Sequence, residues 1–353
     1  MSKTLESFFL GDLIKDIEEK NNNLKKNIPF ENFKENFNKA NLESSNSNNS
    51  NETLNTSIQM NLTKEEIFFA LSKQKTGIFL QKTIKEMNNI EISNIIQELK
   101  DSFSKLMKDK NGNYFCSDLF KLCSINQRLI IIKEIINDFI NLSINQFATH
   151  PIQILIELIE SNEEIEIFSK VFNNLEQFLK LCFNSNGSYV IQKLITYIPE
   201  NKRIFINNLF LNSMHILSCN MYGVVCLKKF VFFSKSDFVY NGIIINLISN
   251  FVKISEDQFG NYFVQYILDM WWERKEMINI KNLIISYFCR FSQNKFASHI
   301  CEIYINHINL NEKQILLSYF INKGIYNILL KDNYGVFVIN KLIKSCMLNY
   351  SLN

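Results

Sequence analysis

The sequence predicts an all-α protein, an α-solenoid crescent of eight three-helix repeat units, and three observations lead there. Glycine and proline are scarce, 9 and 3 in 353 residues, which favours helix and leaves little material for tight β-turns. One twelve-residue pattern recurs eight times at a nearly constant interval. Each copy also carries the apolar spacing of a helix with one buried face.

The copies are KQKTGIFLQKTI from 73, KDKNGNYFCSDLF from 108, NQFATHPIQILI from 145 and NSNGSYVIQKLI from 184, then NMYGVVCLKKFV from 220, DQFGNYFVQYIL from 257, NKFASHICEIYI from 294 and DNYGVFVINKLI from 332. Taking the Asp-like position as origin, they start at 73, 109, 145, 184, 220, 257, 294 and 332, in steps of 36, 36, 39, 36, 37, 37 and 38. A helical unit of this length cannot bury its apolar stripe alone, so the units must stack.

Within the copy from 257, Phe263, Val264, Ile267 and Leu268 form the buried face, while Asn261 and Gln265, four apart, lie one above the other with Tyr262 beside them. The fourth position is small in every copy: Thr76, Gly112, Ala148, Gly187, Gly223, Gly260, Ala297 and Gly335. A bulky side chain there would hold the helix start away from its neighbour or from a ligand. Pro151 falls in a first helical turn, where it costs little. Segments such as 127–140 and 273–288 have helical patterns of their own, so each unit reads as a short helix, the motif helix and an outer helix. Thr63 with Glu66 is a capping box that opens the first folded helix.

Residues 1–60 read as a largely disordered N-terminal extension with an Asn- and Ser-rich linker at 41–61, and 61–353 as the repeat array. Leu5, Phe9, Leu13 and Ile17 have the spacing of a short amphipathic helix, read as marginal unless it docks on a partner. With about twenty residues after the start of the eighth motif, a truncated C-terminal cap is expected.

Eight cysteines without a C-x-x-C pair, no signal peptide and no apolar run of membrane-spanning length give the expectation of a reduced, soluble, cytoplasmic protein. Cys116 with Cys123, and Cys219 with Cys226, read as core residues seven apart on one helical face. His299 and Cys301 lack the second pair of ligands a metal needs, so no metal or other cofactor is expected. Trp271 and Trp272 are expected to pack the junction after the sixth motif helix. Net charge is +3, with −2 on residues 1–60 and +5 on the rest, compatible with a nucleic-acid partner of moderate salt dependence. No nucleophile, base and orienting group stand at meaningful spacing and no phosphate-binding glycine loop is present, so an enzyme is not expected.

D-Q-F-G-N-Y-x-x-Q, N-K-F-A-S-H-x-x-E and N-G-S-Y-x-x-Q, at steps near 36 residues, resemble the Pumilio (PUF) family of RNA-binding repeat proteins over residues 61–353. The resemblance implies that each repeat reads one base of single-stranded RNA, with two side chains on the base edge and a third stacking between bases. It also implies an antiparallel RNA, so that the last repeat meets the 5′ base. An isolated N-Y-x-x-Q would read as solvated surface, but eight in register read as a ladder.

Carried onto this chain, the edge pairs are Gly77 with Gln81, Asn113 with Ser117, Thr149 with Gln153, Ser188 with Gln192, Val224 with Lys228, Asn261 with Gln265, Ser298 with Glu302 and Val336 with Asn340. The stacking residues are Ile78, Tyr114, His150, Tyr189, Val225, Tyr262, His299 and Phe337. The Glu302 carboxylate, beside Ser298, accepts both Watson–Crick donors of guanine. Two amides at Asn261 and Gln265 suit uracil. Ser188 with Gln192 is the family's combination for adenine, with Thr149 and Gln153 a less discriminating variant. Asn113 with Ser117 leans weakly towards uracil. Gly77 loses one edge contact, and the pairs of repeats five and eight lose the pairing logic. The expected site is eight nucleotides with G-U at the second and third positions and adenine at the fifth.

The resemblance further implies a monomeric regulator of messenger RNA, acting on 3′ untranslated regions to repress translation or promote decay through deadenylation or translation-repression factors. The alternative is a helical scaffold for protein, or a ribosomal-RNA maturation factor of the divergent type. The Ser298–Glu302 pair argues against the scaffold, which has no use for a guanine-reading carboxylate.

Overall fold

The structure is a computed structural model and describes residues 62–347, all of whose regular elements are helical. The eight motif stretches form helices α1 (Gln74–Ile84), α2 (Gly112–Leu122), α3 (Thr149–Glu157), α4 (Ser185–Tyr197), α5 (Met221–Phe232), α6 (Gly260–Trp271), α7 (Ser298–His307) and α8 (Gly335–Met347). Each packs on the next in chain order, so the motif helices form one continuous layer, and the connecting helices form a second layer behind it. The N-terminal amphipathic stretch, the linker at 41–61 and residues 348–353 lie outside the described residues.

The Asp-like first position earns its recurrence by capping. Asp257 Oδ1 accepts from the N–H groups of Phe259 and Gly260, both at 2.8 Å, and Asn184 Oδ1 accepts from Asn186 and Gly187 at 2.9 and 3.0 Å. Asp109, Asn145, Asn220, Asn294 and Asp332 make the same pair of bonds, satisfying donors that a helix start leaves orphaned. Lys73 cannot do this, and the Thr76 hydroxyl instead bonds back to the carbonyls of Ala70 and Lys73.

The small fourth position answers to the helix immediately before it. A Cβ on Gly187 would sit 2.6 Å from the carbonyl oxygen of Leu181, in the short helix immediately before α4 (Leu175–Cys182). The constraint the fold itself sets is therefore the turn between the short helix and the motif helix of the same unit. Pro151 is third in α3, within its first turn.

The three-helix unit also needs correction in two places. Ile204–Ser218 and Ile278–Ser292 are single 15-residue helices in which outer helix and following short helix run together, and the Ser213 and Ser286 hydroxyls inside them bond back to the carbonyls of Leu209 and Asn282 instead of capping a new helix. Elsewhere the two are separate, as at Asp237–Ser249 and Phe251–Ser255.

Packing behind the motif layer is aromatic and aliphatic. Phe210 lies 5.0 Å from Phe178 edge-on and 4.4 Å from Phe230 in a stack, tying α5 to two connecting helices. Burial of each such ring contributes about 1.5 to 3 kcal/mol. Capping boxes start the outer helices at Asn88, Ser124, Ser161 and Asn309, and the one at Thr63 with Glu66 opens Lys64–Leu71. Arg128 bonds through Nε to Glu164 at 2.9 Å between successive outer helices, with both side chains buried. Trp271 meets Tyr240 at 4.6 Å and Trp272 stacks on His307 at 4.6 Å, closing the junction after α6. Cys116 and Cys123 are buried at the body and C-cap of α2, but Cys219 ends one helix and Cys226 belongs to the next, so this second pair shares no helical face.

Candidate nucleic-acid interface

Every motif helix places its fifth, sixth and ninth residues at three graded depths. The fifth is buried in seven helices: Gly77, Asn113, Thr149, Ser188, Val224, Asn261 and Ser298; Val336 is partly buried. The sixth is exposed in all eight: Ile78, Tyr114, His150, Tyr189, Val225, Tyr262, His299 and Phe337. The ninth is half-buried in seven, namely Gln81, Ser117, Gln153, Gln192, Lys228, Gln265 and Glu302, while Asn340 is exposed. Because the helices stack in register, each depth becomes a row running along the layer. A protruding side chain thus alternates with a recessed pair.

In α6 the pair is locked together. Gln265 Nε2 donates to Asn261 Oδ1 at 2.7 Å, and Asn261 Nδ2 donates to the carbonyls of Asp257 and Gln258 at 2.9 and 3.0 Å. Asn261 is only 1 % exposed. Both Asn261 donors are engaged at its own helix start, and its oxygen accepts from Gln265. Asn113 is held alike, its Nδ2 donating to Asp109 and Lys110 carbonyls at 2.9 and 2.7 Å. Ser117 turns its hydroxyl inward to the Asn113 carbonyl at 2.8 Å, so α2 offers an acceptor with no amide above it.

In α3, Gln153 Nε2 donates to Thr149 Oγ1 at 3.1 Å, another vertical pair. In α4 the Ser188 hydroxyl donates to the Ser185 carbonyl at 3.0 Å, leaving Gln192 beside a small group. In α7, Glu302 has a different setting. Its Oε2 lies 3.3 Å from Lys341 Nζ on α8 and its Oε1 3.8 Å from His299 Nδ1, so the partly exposed carboxylate has an ammonium and an imidazole at its flanks. A carboxylate so placed accepts two parallel N–H donors.

Departures from the polar pattern fall in α1, α5 and α8. Gly77 and Val224 put no polar atom at the fifth position, and Val336 none at the same place in α8. Lys228 lies 5.8 Å from the Tyr262 ring and 5.5 Å from the Tyr266 ring, both on the next motif helix. Burial pulls its ammonium below the ordinary lysine range, and burial likewise raises the Tyr266 phenol. These contacts between neighbouring helices were invisible to a reading of one repeat at a time, although the repeat length itself brings such residues together. Cys301 is fully buried on the opposite side of α7 from exposed His299, and among the described residues no cluster of three metal-ligating side chains occurs.

The Pumilio-family RNA binding repeat model matches residues 102–136, 177–208 and 250–270, which span or enter α2, α4 and α6. Pumilio homolog 12 of Arabidopsis thaliana is 25 % identical over 284 residues, covering 79 % of this chain and 47 % of its own length. Suppressor protein MPT5 of Saccharomyces cerevisiae is 25 % identical over 313 residues, covering 77 % of this chain and 36 % of its own. The chain therefore spans less than half the length of these two relatives. The RNA-binding domain of yeast Puf5p bound to SMX2 RNA superposes with a TM-score of 0.71 at 24 % identity, covering 81 % of this chain and 84 % of that one, which shows a shared solenoid fold. The Puf3 RNA binding domain bound to a Cox17 RNA 3′ UTR sequence superposes with a TM-score of 0.61 at 25 % identity, covering 80 % and 85 %. The repeat period, the stacked helices and these likenesses agree: the chain carries segments that match the Pumilio-family RNA binding repeat and is similar to Pumilio proteins along most of its length.

Proposed function

We propose that this chain binds single-stranded RNA sequence-specifically, one base to each motif helix, as a post-transcriptional regulator of messenger RNA through sites with a G-U core in 3′ untranslated regions. One observation carries the reading: an exposed side chain stands at the sixth position of all eight motif helices, a ring in six of them, flanked by the recessed fifth and ninth residues. Bases splayed from a single strand stack on such rings, and their Watson–Crick edges then face the recessed pair. Support comes also from the Puf5p and Puf3 domains, whose structures hold RNA.

In this reading Glu302 with Ser298 accepts from guanine, Asn261 with Gln265 meets uracil, and Ser188 with Gln192 meets adenine. The array from 61 to 353 is the binding unit, residues 1–60 lie outside it, and the chain works as a cytoplasmic monomer that recruits deadenylation or translation-repression factors. Titration of the purified chain against a fluorescent single-stranded RNA pool, with duplex RNA as comparison, tests the reading. Saturable binding of the single strand, displaced by unlabelled RNA of a selected sequence but not by duplex, is the expected result. Equal, weak association with both would remove it.

A further inference from the structure

The fifth motif helix carries a side-chain set that differs in kind from the others. Val224, at the recessed position, is a hydrocarbon and is buried, Val225 replaces the stacking ring, and Lys228 stands where five of the other seven helices carry Gln or Glu. The Lys228 ammonium lies within 6 Å of both the Tyr262 and Tyr266 ring centroids, and among the described residues no carboxylate pairs with it. It is thus a fixed cation held by two ring faces, at the edge of the slot that Tyr262 bounds.

A lysine has donors and no acceptor, and Val224 has neither. This slot therefore offers hydrogen bonds in one direction only. Uracil separates its two acceptors by an N3–H that would find no partner. Guanine would turn N1–H and its amino group towards a cation and an isopropyl group. Adenine supplies one ring acceptor beside an amino group. Cytosine places two acceptors, O2 and N3, next to each other, and a charge-assisted donor meets both.

We propose that Lys228 makes α5 a reader of cytosine, its ammonium donating to O2 and N3 of the base at the fourth position from the 5′ end. This rests on the RNA-binding reading above. Burial of the ammonium supports it, since a partly desolvated cation gains more from a direct acceptor than a fully hydrated one does.

The test uses four single-stranded eight-nucleotide RNAs with guanine and uracil at the second and third positions and adenine at the fifth, differing only in A, C, G or U at the fourth. Each is titrated by fluorescence anisotropy against the full chain and against the Lys228→Gln variant. The cytosine RNA should bind the unaltered chain about tenfold more tightly than the others, a comparison that does not depend on how the variant folds. Lys228→Gln should abolish that advantage. Equal affinities for the four RNAs in the unaltered chain, or a preference for another base, overturn the proposal. A variant that weakens all four alike overturns it too, because the ammonium would then be serving a phosphate. Failure of all four RNAs and of a random pool to bind would instead remove the RNA-binding reading beneath it.

Discussion

Lys341, on the last motif helix, holds its ammonium 3.3 Å from Oε2 of Glu302 on the helix before it. The only carboxylate in the ninth-position row is thereby anchored from the side, with its remaining lone pairs free to meet two donors in one plane. Guanine is the base that presents two adjacent donors on its Watson–Crick edge.

Exchanging this pair, as Ser298→Asn with Glu302→Gln, should convert the preference at the second RNA position from guanine to uracil. Each matched edge pair discriminates by about 1 to 3 kcal/mol, so competition between RNAs differing at that base reads the change directly. A preference that stays with guanine after the exchange would show that α7 does not face this base.

Tyr189 and Tyr262 are more than half exposed, at 59 % and 53 %, so their rings contribute little to the folded array. Tyr189→Ala and Tyr262→Ala should each weaken RNA binding by about 1 to 3 kcal/mol while leaving the melting temperature nearly unchanged. Unaltered affinity, measured by anisotropy beside a melting curve, would contradict stacking at these positions.

Gly187→Ala should act on stability. The added Cβ would press on the Leu181 carbonyl at 2.6 Å and on its Cα at 2.9 Å, backbone atoms that no rotamer change relieves. Overpacking of this sort costs about 1 to 3 kcal/mol, measurable as a lower midpoint in urea. An unchanged midpoint would mean that the turn relaxes freely.

The Glu164 carboxyl sits below the ordinary carboxylate range. Its burial works against the charge, but Arg128 Nε at 2.9 Å and the N–H groups of Ser161 and Glu160 at 2.9 and 3.0 Å outweigh that cost. A carboxyl whose folded pKa is depressed stabilises the fold above its unfolded value and loses that contribution as pH falls through the folded one. Stability should therefore decline below about pH 4.3, the reference value for an unfolded glutamate. Glu164→Gln should remove this part of the dependence and cost about 3 to 5 kcal/mol at neutral pH by stranding buried Arg128. Parallel stability curves for the two proteins across pH 3 to 7 would contradict the assignment.

The sequence made the register legible because three demands recur along the array: a capping Asp or Asn in seven of the eight units, a small residue three places later, and the apolar face of a helix. Pro151 and the Thr63–Glu66 box fitted the same frame. Hidden from it were contacts made across units, such as Lys228 with Tyr262 and Tyr266 or Glu302 with Lys341, because residues a full repeat apart are neighbours only once the stacking is known. The hydrogen-bonding state of Asn261 was hidden for a different reason: its side chain competes for carbonyls at its own helix start, which residue type alone does not reveal. Helix fusion at Ile204–Ser218 and Ile278–Ser292 was hidden because Ser213 and Ser286, of a type that can cap a new helix, bond back to carbonyls four residues earlier instead.

Selection of bound sequences from a random single-stranded RNA pool by the purified chain addresses the ladder as a whole. The account predicts an eight-nucleotide motif with guanine and uracil at its second and third positions and adenine at its fifth. Recovery of no enriched motif, or of one without that guanine, would contradict it.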